Sequence, residues 1–579
     1  MTFTKKMRGI LSVAVFTVMI LVCMLSVNAR MVFSDVPENH LYGKEIYTLV
    51  YDGILDGKQQ SDYTYLFNPD KSISRSDFTT MLVKTVVGRD TSHLGVSDKF
   101  ADVLLDHSAN KYITYAAETG IVNAYDTGFF QPEKVATYAE AVKMLVCAKG
   151  YGYKYVPTNP WYKGYFDIAA ELGITENISY EPQWYVTNVL AARLLYNFKY
   201  NVSIPKLYFT GDIVNLPLNK DSKNVSLKYE SKNKTFESNV KIKFQGTSSL
   251  MYAKKNYTIT FYTDSAYDEK MKVDMGWGPE SKYCLKANWV DGTHARNVVT
   301  AKLINQMQKK TGLFENAPAG GAIDGFPVEV YANGVFYGLY TFNIPKDDWM
   351  FGMDSDNPNH IVMCGETWED GTLFKALPDK HTWEIEVGAD EDYAYSRLSR
   401  LSEFIMNSSD EEFKAHFHEY LSLDAVMNYY IMADFAYLMD NLGKNMLVAT
   451  YDGNVWYPSL YDLDSSWGVN TNGLGLYSYE QTPVGFEYNR LFKRMKECFP
   501  KELCNRYKEL RKDVLTKNNV LFTFKTFTDM IPKVTYAKEL VKWGPEIPGY
   551  GLDQIEAYLD KIIPRLDDKY KYLEMSLEK

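Results

Sequence analysis

Between residues 33 and 198 the apolar positions recur every three or four residues, the spacing of one helix face. Phe78, Met81, Leu82 and Val86 lie on one such face; Ala141 with Leu145, and Leu190 with Leu194, repeat it. Each face begins just after a hydroxyl residue, Ser74, Thr137 or Thr187, of the kind that caps a first turn. Ahead of each runs a shorter helical stretch that stops at glycine: Tyr47–Gly53, Tyr115–Gly120 and Ile168–Gly173. An aromatic, proline-bearing loop joins the two, as in Phe67-Asn68-Pro69, Phe130-Gln131-Pro132 and Tyr180-Glu181-Pro182. Phe33-Ser34-Asp35-Val36 also recurs as Phe100-Ala101-Asp102-Val103. The pattern predicts three degenerate all-α repeats, at 33–88, 100–150 and 158–198. A helix pair of this size cannot bury its own apolar face, so the three are expected to pack together.

Asn201-Val202-Ser203-Ile204-Pro205 reads as a joint, and from Leu207 the period changes. Val225–Tyr229, Val240–Phe244 and Tyr257–Phe261 alternate apolar and polar residues, as half-buried strands do. Tyr283–Asn288 predicts another strand, and Val328–Tyr331 with Phe336–Phe342 a hairpin turned at Asn333-Gly334. Helical spacing returns at His294–Lys309, Asp392–Met406 and Leu423–Leu438, then at Leu491–Cys498 and Leu503–Leu515, with amphipathic helices to the end. The expectation is a multidomain chain with helical repeats first and an α+β domain after them.

The chemistry concentrates between Asp440 and Gly468. Asp440 is followed five residues later by Asn445, then by β-like runs Met446–Tyr451 and Val455–Tyr461 turned at Asp452-Gly453. Asp462 and Asp464 follow the second run. Protein kinases use this order: a catalytic-loop aspartate, a metal-holding asparagine at +5 and a later metal-binding aspartate. Phosphoryl transfer calls for a carboxylate to orient or deprotonate the attacking hydroxyl and hard oxygens to hold Mg²⁺. Leu438-Met439 stands where kinases carry His-Arg, and Asp462-Leu463-Asp464 is not Asp-Phe-Gly. Gln245-Gly246-Thr247-Ser248-Ser249 is a small-residue loop with Lys254 and Lys255 just beyond it, an arrangement that suits phosphate. No G-x-G-x-x-G or Walker A motif occurs.

Composition narrows the classes. With 46% hydrophobic and 23% charged residues the chain is globular, and 579 residues exceed a single typical core. A formal charge of −10 argues against nonspecific nucleic-acid binding. Residues 1–29 read as a secretory signal: Lys5, Lys6 and Arg8, an apolar run Ile10–Val27, and Val27-Asn28-Ala29 as a cleavage pattern. That run also has the length of an uncleaved anchor. No second span is predicted, so the mature chain is expected outside the membrane. Cys147, Cys284, Cys364, Cys498 and Cys504 show neither disulfide-framework nor zinc spacing.

These motifs carry two resemblances. Residues 205–515 resemble the spore-coat protein H (CotH) kinase-like family. The likeness rests on Gln245–Ser249 with Lys254-Lys255-Asn256-Tyr257, Ala287-Asn288 with Arg296-Asn297, Asn333-Gly334 with Gly338-Leu339-Tyr340, and Asp462-Leu463-Asp464-Ser465-Ser466-Trp467-Gly468. Residues 516–579 are assigned to a helical extension. The resemblance implies an atypical protein-kinase-like fold using ATP and Mg²⁺ or Mn²⁺. It further implies Asp440 as the catalytic carboxylate, Asn445, Asp462 and Asp464 on metal, Lys255 or Lys254 on phosphate, and Arg296 orienting an active-site carboxylate. Asn343-Ile344-Pro345 lacks the acidic residue that follows the hairpin in relatives, and Glu329 is the candidate substitute.

The three repeats resemble surface-layer homology (SLH) modules, whose Thr-Arg-Ala-Glu motif is matched by Ser74-Arg75-Ser76-Asp77. It becomes Thr137-Tyr138-Ala139-Glu140 and Thr187-Asn188-Val189-Leu190 in the later repeats. This implies binding of anionic secondary cell-wall polysaccharide in a Gram-positive envelope, with Arg75 and Asp77 as glycan-binding residues. Together the resemblances imply a secreted enzyme on the cell wall or spore surface that phosphorylates Ser/Thr of surface or spore-coat proteins. Two alternatives stand beside it. One is a non-catalytic wall-anchored scaffold or coat-assembly protein; the other is a glycosyltransferase using Asp462-Leu463-Asp464 as its D-x-D motif.

Overall fold

The computed structural model describes residues 33–37, 39–152, 157–478, 482–544 and 551–577. The expected signal at 1–29 lies outside the described residues. The chain divides into two compact units, residues 1–201 and 202–579.

Among the described residues the first unit has six helices: α1 Gly43–Tyr51, α2 Arg75–Val87, α3 Asn110–Glu118, α4 Tyr138–Ala148, α5 Lys163–Glu171 and α6 Asn188–Tyr200. The helices pack as a ring in which neighbours exchange partners. α3 lies on α2, α5 on α4, and α1 on α6, while α2 also touches both α4 and α6. The backbone seals each junction: Ser76 N–H donates to the Pro132 carbonyl (3.0 Å), Ala139 to Pro182 (2.9 Å) and Val189 to Pro69 (2.9 Å). The recurring aspartates now have a physical reason. Asp35 accepts from the N–H groups of Phe67 and Asn68 (2.9 and 2.7 Å), and Asp102 from those of Phe130 and Gln131 (2.9 and 2.6 Å), holding the loop that feeds each junction. A two-stranded ribbon, β1 Lys58–Gln59 with β2 Tyr65–Leu66, interrupts the first repeat, so the unit is not purely helical.

The second unit opens with a closed barrel of seven strands. In chain order these are β3 Lys206–Thr210, β4 Lys223–Glu230, β5 Thr235–Gln245, β6 Asn256–Tyr262, β9 Lys282–Lys286, β10 Gly325–Ala332 and β11 Val335–Asn343. A ribbon β7 Val273–Asp274 with β8 Pro279–Glu280 projects between β6 and β9. The barrel order is β10-β11-β9-β6-β5-β4-β3, and it closes where β3 pairs parallel with β10. Asn333 and Gly334 take φ of +49° and +82° in the β10–β11 turn, as a two-residue hairpin requires. Helix α7, Arg296–Lys309, follows β9.

Beyond the barrel lie α8 Asp348–Phe351, β12 Ile361–Gly365, β13 Trp383–Val387, α9 Glu391–Asn407, α10 Asp410–His416 and α11 Leu423–Phe435. Then come β14 Met446–Thr450 and β15 Trp456–Leu460, and the second sheet has the order β13-β12-β14-β15. The β14–β15 connection spans residues 451–455, longer than a two-residue turn, because Asp452 Oδ1 accepts from the N–H groups of both Asn454 (2.7 Å) and Val455 (2.8 Å). The remaining helices are α12 Gly485–Tyr488, α13 Arg490–Cys498, α14 Pro500–Leu510, α15 Lys517–Thr528, α16 Lys533–Trp543 and α17 Leu552–Leu577. One apolar core runs from Ile204 through Val520 and Phe524 to Tyr570. The helices after residue 515 therefore share the core of the α+β unit.

Candidate active site

Helix α11 is buried along nearly its whole length and delivers the chain to a 3-10 turn, Asp440–Leu442. That turn is pinned from the end of β15: Asn441 Nδ2 donates to the Tyr461 carbonyl (2.5 Å). Asp440 is held on both oxygens. Trp368 Nε1 donates to Oδ1 (3.2 Å), and Asn445 Nδ2 donates to Oδ2 (3.0 Å). Asn445 sits at φ +58° with its own N–H on the Gly365 carbonyl (2.7 Å). The spacing of five residues is thus a closed loop in which the amide steadies the carboxylate.

The second strand of the hairpin returns to the same place. Asp462 and Trp467 both have positive φ (+59° and +58°), and between them the chain is tied to α7. Leu463 N–H donates to Asn297 Oδ1 (3.0 Å), and Trp467 Nε1 to Thr300 Oγ1 (2.8 Å). Asn297 therefore positions the Asp-Leu-Asp segment, which accounts for its place in the Arg296-Asn297 motif.

The charges converge. Lys286 Nζ, at the end of β9, lies 3.6 Å from Asp462 Oδ1 and over the Tyr461 ring. Burial alone would drive Lys286 toward its neutral form, but Tyr461 and Asp462 hold its pKa above the ordinary lysine value. Asp464 is pushed up to about 7 by burial and by the charge of Asp462, with Lys286 opposing and Asp291 adding to it. Asp440 is raised by burial, eased by the Trp368 hydrogen bond and by Lys444, with Asp462 raising it further. Asp440, Asn445, Asp462 and Asp464 thus meet in one place, with more carboxylate charge than Lys286 offsets. A hard divalent cation fits such a donor set, because desolvated carboxylates crowded together are costly until one is bound.

Other residues singled out from sequence lie elsewhere. Lys254 is fully buried, paired with Glu539 of α16 at 2.6 Å and donating to the carbonyls of Ala287 (3.1 Å) and Leu339. It is a structural pin and not a phosphate ligand. Lys255 turns its ammonium onto its own loop, donating to the carbonyls of Leu250 (2.6 Å) and Tyr252. Glu329 is no substitute for a site carboxylate: it accepts from Thr535 Oγ1 (2.5 Å) and Tyr331 OH (2.6 Å) and pairs with Lys538 (3.1 Å). Arg296 does orient a carboxylate, but that of buried Asp291, while its other nitrogen reaches Gln554 Oε1 (2.7 Å). Sequence reasoning misses the cation at the site, Lys286. Its one signal is a lysine ending the otherwise apolar run Tyr283-Cys284-Leu285, where the residue is only 7% exposed.

In the first unit Arg75 is buried. Its guanidinium lies over the rings of Tyr125 and Phe130 (4.6 and 4.7 Å) and donates to the carbonyls of Phe130 (3.0 Å) and Asn123 (3.1 Å). It lines a cleft of about 560 Å³ with Tyr125, Glu140, Lys143, Trp161 and Tyr165. Burial lowers its pKa, while Tyr125 and Glu140 raise it. Asp77 does not share the cleft's chemistry. Its carboxylate closes the capping box of α2, with Asp77 N–H donating to Ser74 Oγ (3.0 Å). The equivalents of Arg75 differ: Tyr138 packs edge-on against Phe166, and Asn188 Nδ2 donates to the carbonyls of Phe67 and Asn68 (2.8 and 3.0 Å).

Comparison with known families settles the classification. A family model described as CotH kinase protein matches residues 242–544, more than half of the chain. The chain belongs to the CotH family. The match takes in α15 and α16, beyond the boundary at 515 drawn from sequence. A second model, S-layer homology domain, matches residues 99–142. No curated protein matches the chain. The chain is thus a multidomain CotH protein with an SLH domain ahead of the CotH domain, and that SLH domain marks it for attachment at a cell surface. Among the described residues no helix is long and apolar enough to cross a membrane.

Proposed function

We propose that this CotH protein is an exported, wall-attached atypical kinase that moves the γ-phosphoryl group of ATP onto Ser/Thr hydroxyls of surface or spore-coat proteins. The observation that carries it is the meeting of Asp440 and Asn445, hydrogen-bonded at 3.0 Å, with the Asp462–Lys286 pair at 3.6 Å and Asp464 beside it. Asp440 orients the acceptor hydroxyl and takes its proton. The oxygens of Asn445, Asp462 and Asp464 are the set that would hold Mg²⁺ or Mn²⁺, which when bound offsets triphosphate charge. Lys286, in place of Lys254 or Lys255, supplies the fixed positive charge for phosphate.

The Arg75 cleft supports wall attachment. A guanidinium that donates to carbonyls and lies over rings suits a carboxylate-bearing glycan, and Trp161 and Tyr165 give sugar rings a face to lie on. One groove carries the arginine, so one strong anion-binding site per chain is expected.

The test incubates the full chain with γ-labelled ATP, Mg²⁺ or Mn²⁺, and a surface-protein extract. Label on Ser or Thr is the expected result. Absence of both ATP binding and label would leave a wall-anchored scaffold; preference for a sugar nucleotide would leave the D-x-D transferase.

A further inference from the structure

The kinase reading leaves one feature of the site without a role. Trp368 comes from the loop after β12, a segment with no counterpart among the motifs that carry the family resemblance. Its indole N–H donates to Asp440 Oδ1 at 3.2 Å, on the oxygen that Asn445 does not reach. The ring itself lies between two glycines. A Cβ on Gly443 would stand a tight 3.2 Å from Trp368 Cδ2, and one on Gly485 would stand 2.8 Å from Trp368 Cη2 and 2.7 Å from Leu442 Cβ, closer than real Cβ contacts come. Gly443 belongs to the Asp440–Asn445 loop, and Gly485 starts α12 at the end of the segment that follows Trp467-Gly468.

The loop bearing the indole is itself anchored. Thr372 Oγ1 closes it on the Thr367 carbonyl (2.8 Å), and the buried amide of Asn489 donates to the carbonyls of both Thr372 (3.5 Å) and Leu442 (3.0 Å). The ring is still 38% exposed, so it borders the open side of the centre. A donor on each oxygen of Asp440 fixes the carboxylate plane, while each oxygen keeps a further lone pair for an acceptor hydroxyl. A base held this way needs no reorganisation when the acceptor arrives.

We propose that Trp368 is a positioning residue for phosphoryl transfer: its N–H sets the carboxylate plane of Asp440, and its ring, seated on Gly443 and Gly485, sets where that N–H points. This rests on the kinase reading, with Asp440 as the group that meets the acceptor hydroxyl.

The test uses the full chain, Mg·ATP and a synthetic peptide library with one central serine. Wild type, Trp368→Phe, Trp368→Ala, Gly485→Ala, Asp440→Asn and the Asp440→Asn/Trp368→Phe double variant are compared. Trp368→Phe should lower kcat on the order of ten- to a hundredfold, with the Mg·ATP Kd, the peptide KM and the Tm unchanged. Gly485→Ala, whose Cβ would press on both Leu442 and the indole, should lower kcat at least as much. In the Asp440→Asn background Trp368→Phe should change nothing further, because the two act as one unit. Wild-type kcat in Trp368→Phe, or full additivity with Asp440→Asn, overturns the proposal. So does a kcat loss matched by weaker Mg·ATP binding and a lower Tm, which would make the ring packing alone. If wild type binds Mg·ATP and transfers nothing, the kinase reading falls and this proposal with it.

Discussion

The carboxylate centre of the CotH domain and the arginine cleft of the SLH domain hold charge in opposite senses. At the centre Asp440, Asp462 and Asp464 outnumber the lysines beside them, Lys286 and Lys444, and Asp464 is pushed up to about 7 by burial and the charge of Asp462. In the cleft Arg75 is buried among carbonyls and rings, and a carboxylate lining the same cleft, Glu140, is already held by Lys134 (3.1 Å) and Tyr125 (2.5 Å). Other buried charges meet partners of opposite sign inside the protein: Asp434 meets Arg565 and Lys569, and Lys254 meets Glu539. Such pairs hold helices in place. Charge left over at a cleft names the sign of its ligand: cationic at the centre, anionic at Arg75.

The strongest way to break that contrast is at Asp462. Asp462→Asn should abolish both metal-dependent ATP binding and transfer, because the residue would hold the cation that offsets the triphosphate. Asp440→Asn should keep Mg·ATP binding and lose transfer on the order of a hundredfold or more. Calorimetry beside a transfer assay separates them. Mg·ATP binding by Asp462→Asn at wild-type affinity would remove that residue from the metal set.

Much of the centre is legible in the amino-acid sequence itself. Asp440, Asn445, Asp462 and Asp464 lie within 25 residues of one another, joined by a hairpin, so local spacing is enough to predict their meeting. Strands β4, β5 and β6 announce themselves by alternation, and β10 with β11 by the Asn333-Gly334 turn between them. Closure of the barrel does not, because the parallel β3–β10 pair joins segments over a hundred residues apart. The same limit explains the lysines. Two adjacent lysines beside a small-residue loop look like phosphate ligands, and only the docking of α16 reveals that Lys254 is claimed by Glu539. Lys286 reads as an ordinary strand residue, and only folding brings Asp462 within 3.6 Å of it from 176 positions away.

That exchange of roles gives the next prediction. Lys286→Met should lower transfer on the order of a hundredfold through lost charge stabilisation, while Lys255→Met leaves kcat nearly unchanged. Lys254→Met acts differently. Breaking a buried pair strands Glu539, so stability should fall by about 3–5 kcal/mol. Denaturant melts beside kinetics distinguish the three. A Lys255→Met variant as slow as Lys286→Met would return the phosphate contact to the loop.

On the other side of the comparison, Arg75→Ala should weaken sedimentation with purified Gram-positive walls about tenfold, the loss of one charge-assisted pair. Asn188→Ala should leave wall binding intact, because Asn188 spends its amide on the carbonyls of Phe67 and Asn68. Equal loss in both variants would spread the contact over the ring of repeats.

The smallest effect is the most direct reading of leftover charge. A carboxyl whose folded pKa stands at about 7 takes up a proton on folding at pH values where the unfolded chain has already lost it. Metal-free protein should therefore be most stable, on this account, below the unfolded carboxylate range of about 4, and lose that increment as pH rises toward 7. A divalent cation acts in the opposite direction, since it binds the ionised carboxylates and competes with the proton. Mg²⁺ added to chelator-treated protein should raise Tm on the order of a few degrees at pH 8 and much less at pH 5. Asp464→Asn should flatten the metal-free slope and shrink the Mg²⁺ increment together. A Tm increment equal at both pH values would mean that Mg²⁺ binds away from Asp464, and the charge at the centre would need another partner.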